Sequence, residues 1–291
     1  MQENYWDYVQ SILCLIWNFL NSNFITALAG AFFGAIAAYY IAKKHQQAVN
    51  LREEIRNINA AITLTFSVFI SSLSLKEQQI KPMMDGYKET SKQYEEYMMK
   101  LSNGQKVSFA GTADMSEVAM PLFPTETISE IIYGKIAAPT RVAAMYSALN
   151  HATNSIKELF ERRHQIIYEW KSNKNITEKE KLEVYLGLVQ ENRTVDERYS
   201  NIMDEISKSL DDCIFYSFTI AKDLNEYGCK LAEMYGKNTS IVVGVKLPDE
   251  LVDKDLMPDE DNYRGWFDGF KNNENSTQNK SIWDRLKFWS S

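Results

Sequence analysis

From Phe24 to Ala42 the chain carries no charged residue over 19 positions, and Lys43, Lys44 and His45 follow at once. About 20 apolar residues cross a hydrocarbon core roughly 30 Å thick, so this pattern predicts a transmembrane helix over residues 23–43. Inside the run, Thr26, Gly30, Gly34, Ala38 and Ala42 recur every fourth residue and form one small-residue ridge on a helix. Lipid supplies no hydrophobic drive for helices to pair, so pairing relies on close backbone approach at such ridges. Thr26, Gly30, Gly34 and Ala38 are therefore the predicted helix–helix contact. Tyr39, Tyr40, Lys43 and Lys44 mark the membrane interface, where amphipathic rings and basic groups sit.

The stretch YWDYVQSILCLIWNFL, residues 5–20, is apolar and aromatic but too short to cross. Residues 1–22 read as an interfacial segment, with a loosely packed arm as the alternative. Downstream, Leu51, Ile55, Ile58, Ile62, Phe66, Phe69, Leu73 and Ile80 keep helical spacing. Asn59, Thr63, Ser67, Ser71, Ser74 and Gln78 make an uncharged polar stripe beside them. Two readings compete for residues 58–75: a helix of a soluble bundle, which the hydroxyl content favours, or a second span.

Pro82 and Gly86 predict a break, with helix resuming to about Lys100 and a loop over residues 102–125. Thr125-Glu126 can open a short helix, and Pro139 suits the start of the next, which keeps its spacing through Met145, Leu149, Ile156, Leu159, Ile166 and Trp170. Thr177 and Glu180 have the spacing of a capping box. The pattern then predicts a long helix from there to about Tyr235. The fold class is all-α: a transmembrane helix continuing into a cytoplasmic antiparallel bundle, or coiled coil, over residues 44–238. SIVVGVKL, residues 240–247, is a strand-like stretch with no obvious partner and is expected as an extended tail. Residues 239–280 are acidic and asparagine-rich and predict a flexible linker. Residues 281–291 are expected as an amphipathic helix whose Trp283 and Trp289 suit a membrane interface, with docking of that helix on the bundle as the equal alternative.

Charge sets the orientation. Glu3 and Asp7 are the charged residues before the span, whereas residues 43–56 carry Lys43, Lys44, Arg52 and Arg56. Lys and Arg near a span stay cytoplasmic, which predicts the N-terminus outside and the bulk inside. A signal peptide would need a basic N-terminal region and a shorter apolar run.

Composition narrows the chemistry. A net charge of −7 and a pI near 5.2 argue against nucleic acid as a partner. Cys213 and Cys229, on one helix, would lie about 24 Å apart, too far for a disulfide. Three histidines, His45, His151 and His164, show no metal-ligand spacing, and no phosphate-loop, dinucleotide or nucleophile-elbow motif occurs. Glu161-Arg162-Arg163-His164 is the densest polar cluster and reads as a solvated or ion-paired helix face. No catalytic residue, metal or cofactor is predicted; the expected partners are membrane lipid, further copies of the chain and a protein not identified by the sequence.

GAFFGAIAA, EIRNINAAI and LSLKEQQIKP together resemble a group of bacterial membrane-anchored proteins with no established activity. The matching residues include Gly30, Gly34, Ile55, Arg56, Asn57, Asn59, Ala60, Ala61, Leu75, Lys76, Gln78 and Pro82, between Ala29 and Pro82, about a fifth of the chain. The resemblance implies a bacterial inner membrane. The leading expectation is a non-enzymatic, membrane-anchored interaction protein that self-associates through its span. The alternative is an oligomeric membrane-perturbing effector, in phage defence for example, with residues 58–75 as a second span.

Overall fold

The computed structural model describes residues 3–20, 23–109, 111–173, 176–190, 193–235, 241–246 and 256–269. Among them the protein is all-α, with seven helices: α1 Glu3–Leu20, α2 Asn23–Leu75, α3 Lys81–Ser102, α4 Thr125–Gly134, α5 Thr140–Ser172, α6 Glu178–Tyr185 and α7 Arg198–Tyr235. Two compact units divide within α2, at Glu54 and Ile55.

The first unit holds α1 and the N-terminal part of α2. Leu51 is buried near its end, but none of residues 25–47 is, and Trp6, Leu15 and Trp17 of α1 are 72%, 70% and 67% exposed. Among the described residues one helix is long and apolar enough to cross a membrane, and no residue of its most apolar window is buried.

The second unit has a conventional core. From Ile55 onward, α2 buries Ile55, Ile58, Ile62, Thr65, Phe69 and Ser72 on one face, and residues 58–75 are thus a bundle helix. Ile58 lies beside Gly228, the Phe69 ring is 5.1 Å from that of Phe218, and Lys76 meets Asp211. As numbers rise in α2 they fall in α7, so the two helices are antiparallel. α5 runs antiparallel to α7 by the same test, with Arg141 on Asp223 and Arg163 on Tyr199. Met145, Leu149, Ile156, Phe160 and Ile167 of α5, and Ile206, Leu210, Ile214, Ala221 and Leu224 of α7, are buried at the i, i+3, i+4 spacing that gives each helix one apolar face. α4 adds Ile128, Ile131 and Ile132. It is tied to α5 where the Tyr146 hydroxyl donates to Thr125 O at 2.6 Å.

Three expectations need correction. The helix does not break at Pro82 and Gly86; a π-helical turn, Lys76–Ile80, precedes α3, and Pro82 sits in the first turn. A proline ring clashes with the carbonyl four residues back, which falls within the widened turn. The long helix expected after Thr177 also divides. α6 has the capping box but stops at Gly187, whose φ is +65°. Leu188 N–H donates to Glu183 O and Gly187 N–H to Val184 O, a Schellman ending with glycine in the left-handed region. Val189 and Val195 then form an isolated bridge before α7 begins. Finally, residues 256–269 of the expected linker dock on the bundle through a 3₁₀ turn, Glu260–Tyr263. Leu256 is 1% exposed, and the Tyr263 ring stacks on Phe215 at 3.7 Å.

Candidate functional site

The predicted contact ridge lies in the first unit. A Cβ built on Gly30 or on Gly34 would meet nothing within 4 Å, so within one chain both glycines face open space. Tyr39, Tyr40, Lys43 and Lys44 cluster at the following turns; Tyr39 and Tyr40 are 63% and 67% exposed, and Lys43 Nζ sits 6.0 Å over the Tyr39 ring. Aromatic faces attract cations, which keeps this ammonium against the ring plane. Trp283 and Trp289, with the rest of the predicted C-terminal helix, lie outside the described residues.

In the second unit a cleft of about 610 Å³ opens between residues 120–127 and the α5 face carrying Asn154, Lys157, Phe160, Glu161 and His164. His164 Nε2 accepts from Val118 N–H at 3.4 Å, so its lone pair holds the loop. Lys157 and Glu161 point to solvent. Leu122, on the same loop, is 98% exposed. Among the described residues no group of three His, Cys, Asp or Glu side chains comes together as a metal site.

Arg163 departs from the solvated face expected for residues 161–164. It is fully buried. Nη1 donates to Ser116 O at 2.8 Å and Nη2 to the Tyr199 hydroxyl at 3.0 Å, while that hydroxyl donates to Asp114 O. Arg163 Nε and Glu183 Oε2 are buried without hydrogen bonds. Burial raises the Tyr199 phenol, against the opposing Arg163 charge, and raises the Tyr185 phenol tilted against it. Sequence reasoning passed over this site, although its signal was present: position 163 continues the Ile156, Phe160, Ile167, Trp170 stripe, so its side chain had to face inward.

Polar residues of the 55–82 motifs also tie elements together. Asn57 Nδ2 donates to Lys135 O at 3.3 Å, and Asn59 bonds Ile241 O and Val243 N. Lys76 Nζ donates to Asp211 Oδ1 at 2.6 Å and to Leu256 O at 2.9 Å. Next door, the Tyr263 hydroxyl donates to Asp212 Oδ1 at 2.9 Å. Burial raises the Asp212 carboxyl above its ordinary range, opposed by the Tyr263 bond and assisted by the Asp211 charge. These groups fasten helices and tail; none presents an unengaged nucleophile beside a base.

Comparison of the chain with protein families, with curated proteins and with solved structures gives no match.

Proposed function

We propose that the chain is a non-enzymatic, single-pass anchor whose copies associate through the Thr26–Gly30–Gly34–Ala38 ridge and carry a helical interaction bundle. Its place is a bacterial inner membrane, with the N-terminus outside and the bundle in the cytoplasm. The observation that carries this reading is the contrast within α2. Leu28, Phe32, Phe33, Tyr39, Tyr40 and Ile41 are each more than half exposed, whereas Ile55, Ile58 and Ile62 are buried. Leaving six such side chains in water forgoes on the order of 10 kcal/mol, comparable with the entire stability of a domain. A bilayer removes that cost. A leak-forming effector would need residues 58–75 in lipid, and their inner face would first have to part from α7.

Gly34→Ile tests the ridge. A branched side chain there should hold neighbouring helices apart, whereas Phe33→Ile, on another face, should only exchange one lipid contact for another. Both variants keep the segment apolar, so membrane insertion is the internal control. Crosslinking in detergent-free membranes is expected to fall several-fold for Gly34→Ile and to change little for Phe33→Ile; equal yields for wild type and Gly34→Ile would sink the reading.

A further inference from the structure

Helix α1 sorts its residues by side. At 3.6 residues per turn, Asp7, Gln10, Ser11, Cys14 and Asn18 fall within an arc of about 100°. The other residues from Trp6 to Phe19 are all aromatic or aliphatic and spread over about 200° of the opposite side. None of residues 6–19 is buried. One packed helix face needs a stripe of only about 100°, so the apolar arc of α1 is about twice what a single partner helix would cover.

The chain holds α1 close to the candidate span. Residues 21 and 22 join Leu20 to Asn23, and three steps of chain reach at most about 11 Å. The polar arc decides how α1 meets the bilayer. A spanning α1 would draw Asp7 and Gln10 toward hydrocarbon, where ionisable and polar groups are costly. Lying flat, the same helix keeps that arc in water.

We propose that α1 lies along the outward-facing leaflet, with its apolar arc among the acyl chains and its polar arc, Cys14 included, in water. The proposal rests on the outward N-terminus of the anchor and adds to it a second lipid contact, sunk about 5–10 Å below the headgroups. Trp6 and Trp17 border the polar arc beside Gln10, at the level where indole rings suit a membrane interface. Residues 1–22 carry no Lys or Arg, so anionic headgroups offer no attraction and the surface that fits is one of neutral lipid. Apolar area and the short joint suffice, because tethering makes insertion an intramolecular step.

The test uses the full-length chain carrying Cys229→Ser, with Cys213 left buried. Native Cys14 reports the polar arc; Ile12→Cys and Ile16→Cys, each with Cys14→Ser, report the apolar arc. Maleimide attack needs the thiolate, which apolar surroundings disfavour. In sealed spheroplasts a membrane-impermeant maleimide should label Cys14 readily and the two apolar-arc thiols several-fold more slowly, with detergent closing the gap. Equal rates for the two arcs overturn the embedding of α1 and leave the orientation of the anchor standing. Labelling of Cys14 only after lysis overturns the outward N-terminus, and with it the leaflet. A nitroxide on Ile16→Cys in phosphatidylcholine vesicles separates lipid from protein cover. Frequent collisions with oxygen and few with a water-soluble nickel chelate are expected; few with either would overturn the proposal in favour of an α1 packed on protein.

Discussion

Arg163 is the residue whose surroundings say most about this bundle. A guanidinium with no solvent exposure costs several kcal/mol to desolvate, and here it faces carbonyl and hydroxyl oxygens in place of a carboxylate. Arg163→Met removes that cost but strands Ser116 O, at about 1–3 kcal/mol, while the Tyr199 hydroxyl keeps its bond to Asp114 O. The two effects offset, so thermal unfolding of the detergent-solubilised protein is expected to shift by less than about 2 kcal/mol, with faster amide exchange at Val118. Asp212 and Asp196 should respond to pH with opposite signs. Burial raises Asp212 in the folded state, so its contribution is complete below the unfolded carboxyl pKa near 4 and is lost as pH rises. Asp212→Asn should therefore gain stability relative to wild type as pH climbs from about 4. Hydrogen bonds from Arg198 lower Asp196, whose contribution is present above the same unfolded value and fades in acid. Asp196→Asn should cost stability at pH 7 and progressively less as pH falls below about 4. Urea titrations across that range check both.

At the scale of elements, regular periodicity was legible and interruptions were not. The apolar stripes of α5 and α7, and the Thr177–Glu180 cap, could be read directly because each follows from spacing along one helix. The stop at Gly187 was missed because apolar residues on either side keep plausible helical phase; the glycine itself was the readable sign. Pro82 was read as a break because its ring excludes an ordinary turn, but a π turn satisfies the same constraint without ending the helix. Docking of Tyr263 and Leu256 had no local signal, since it depends on where Phe215, Asp212 and Lys76 converge in space. Two glycine substitutions separate these cases. Gly187→Ala should destabilise by about 1 kcal/mol, because alanine resists positive φ. Gly86→Ala, inside α3 with nothing within 4 Å of the added carbon, should stabilise by about 0.5–1 kcal/mol. Melting temperatures of the two variants should move in opposite directions.

For the whole molecule, the sequence already divided the chain into a lipid-suited segment and a bundle, and α2 contains both within one helix. The candidate span was legible from its missing charges, whereas the Lys76 bonds to Asp211 and Leu256 required tertiary placement of residues 135 and 180 positions away. The anchor predicts that the protein stays with the membrane pellet after alkaline carbonate extraction. A reporter that works only in the cytoplasm should be active when fused after Ser291, and one that works only outside should be silent. The reverse pattern would remove the N-out topology.

Because α7 packs against both α2 and α5, the order of synthesis gives the chain a long wait. The inner face of residues 55–75 leaves the ribosome about 160 residues before α7 is complete, roughly 10–30 s at ordinary elongation rates. For that time Ile58, Ile62 and Phe69 lack the surface that covers them in the finished bundle. The candidate span, by contrast, emerges earlier and, in the proposed anchor, needs only lipid. On the proposed anchoring, newly made chains should thus be tethered before they are folded, with a chaperone-sensitive apolar helix held beside the membrane until α7 has been made.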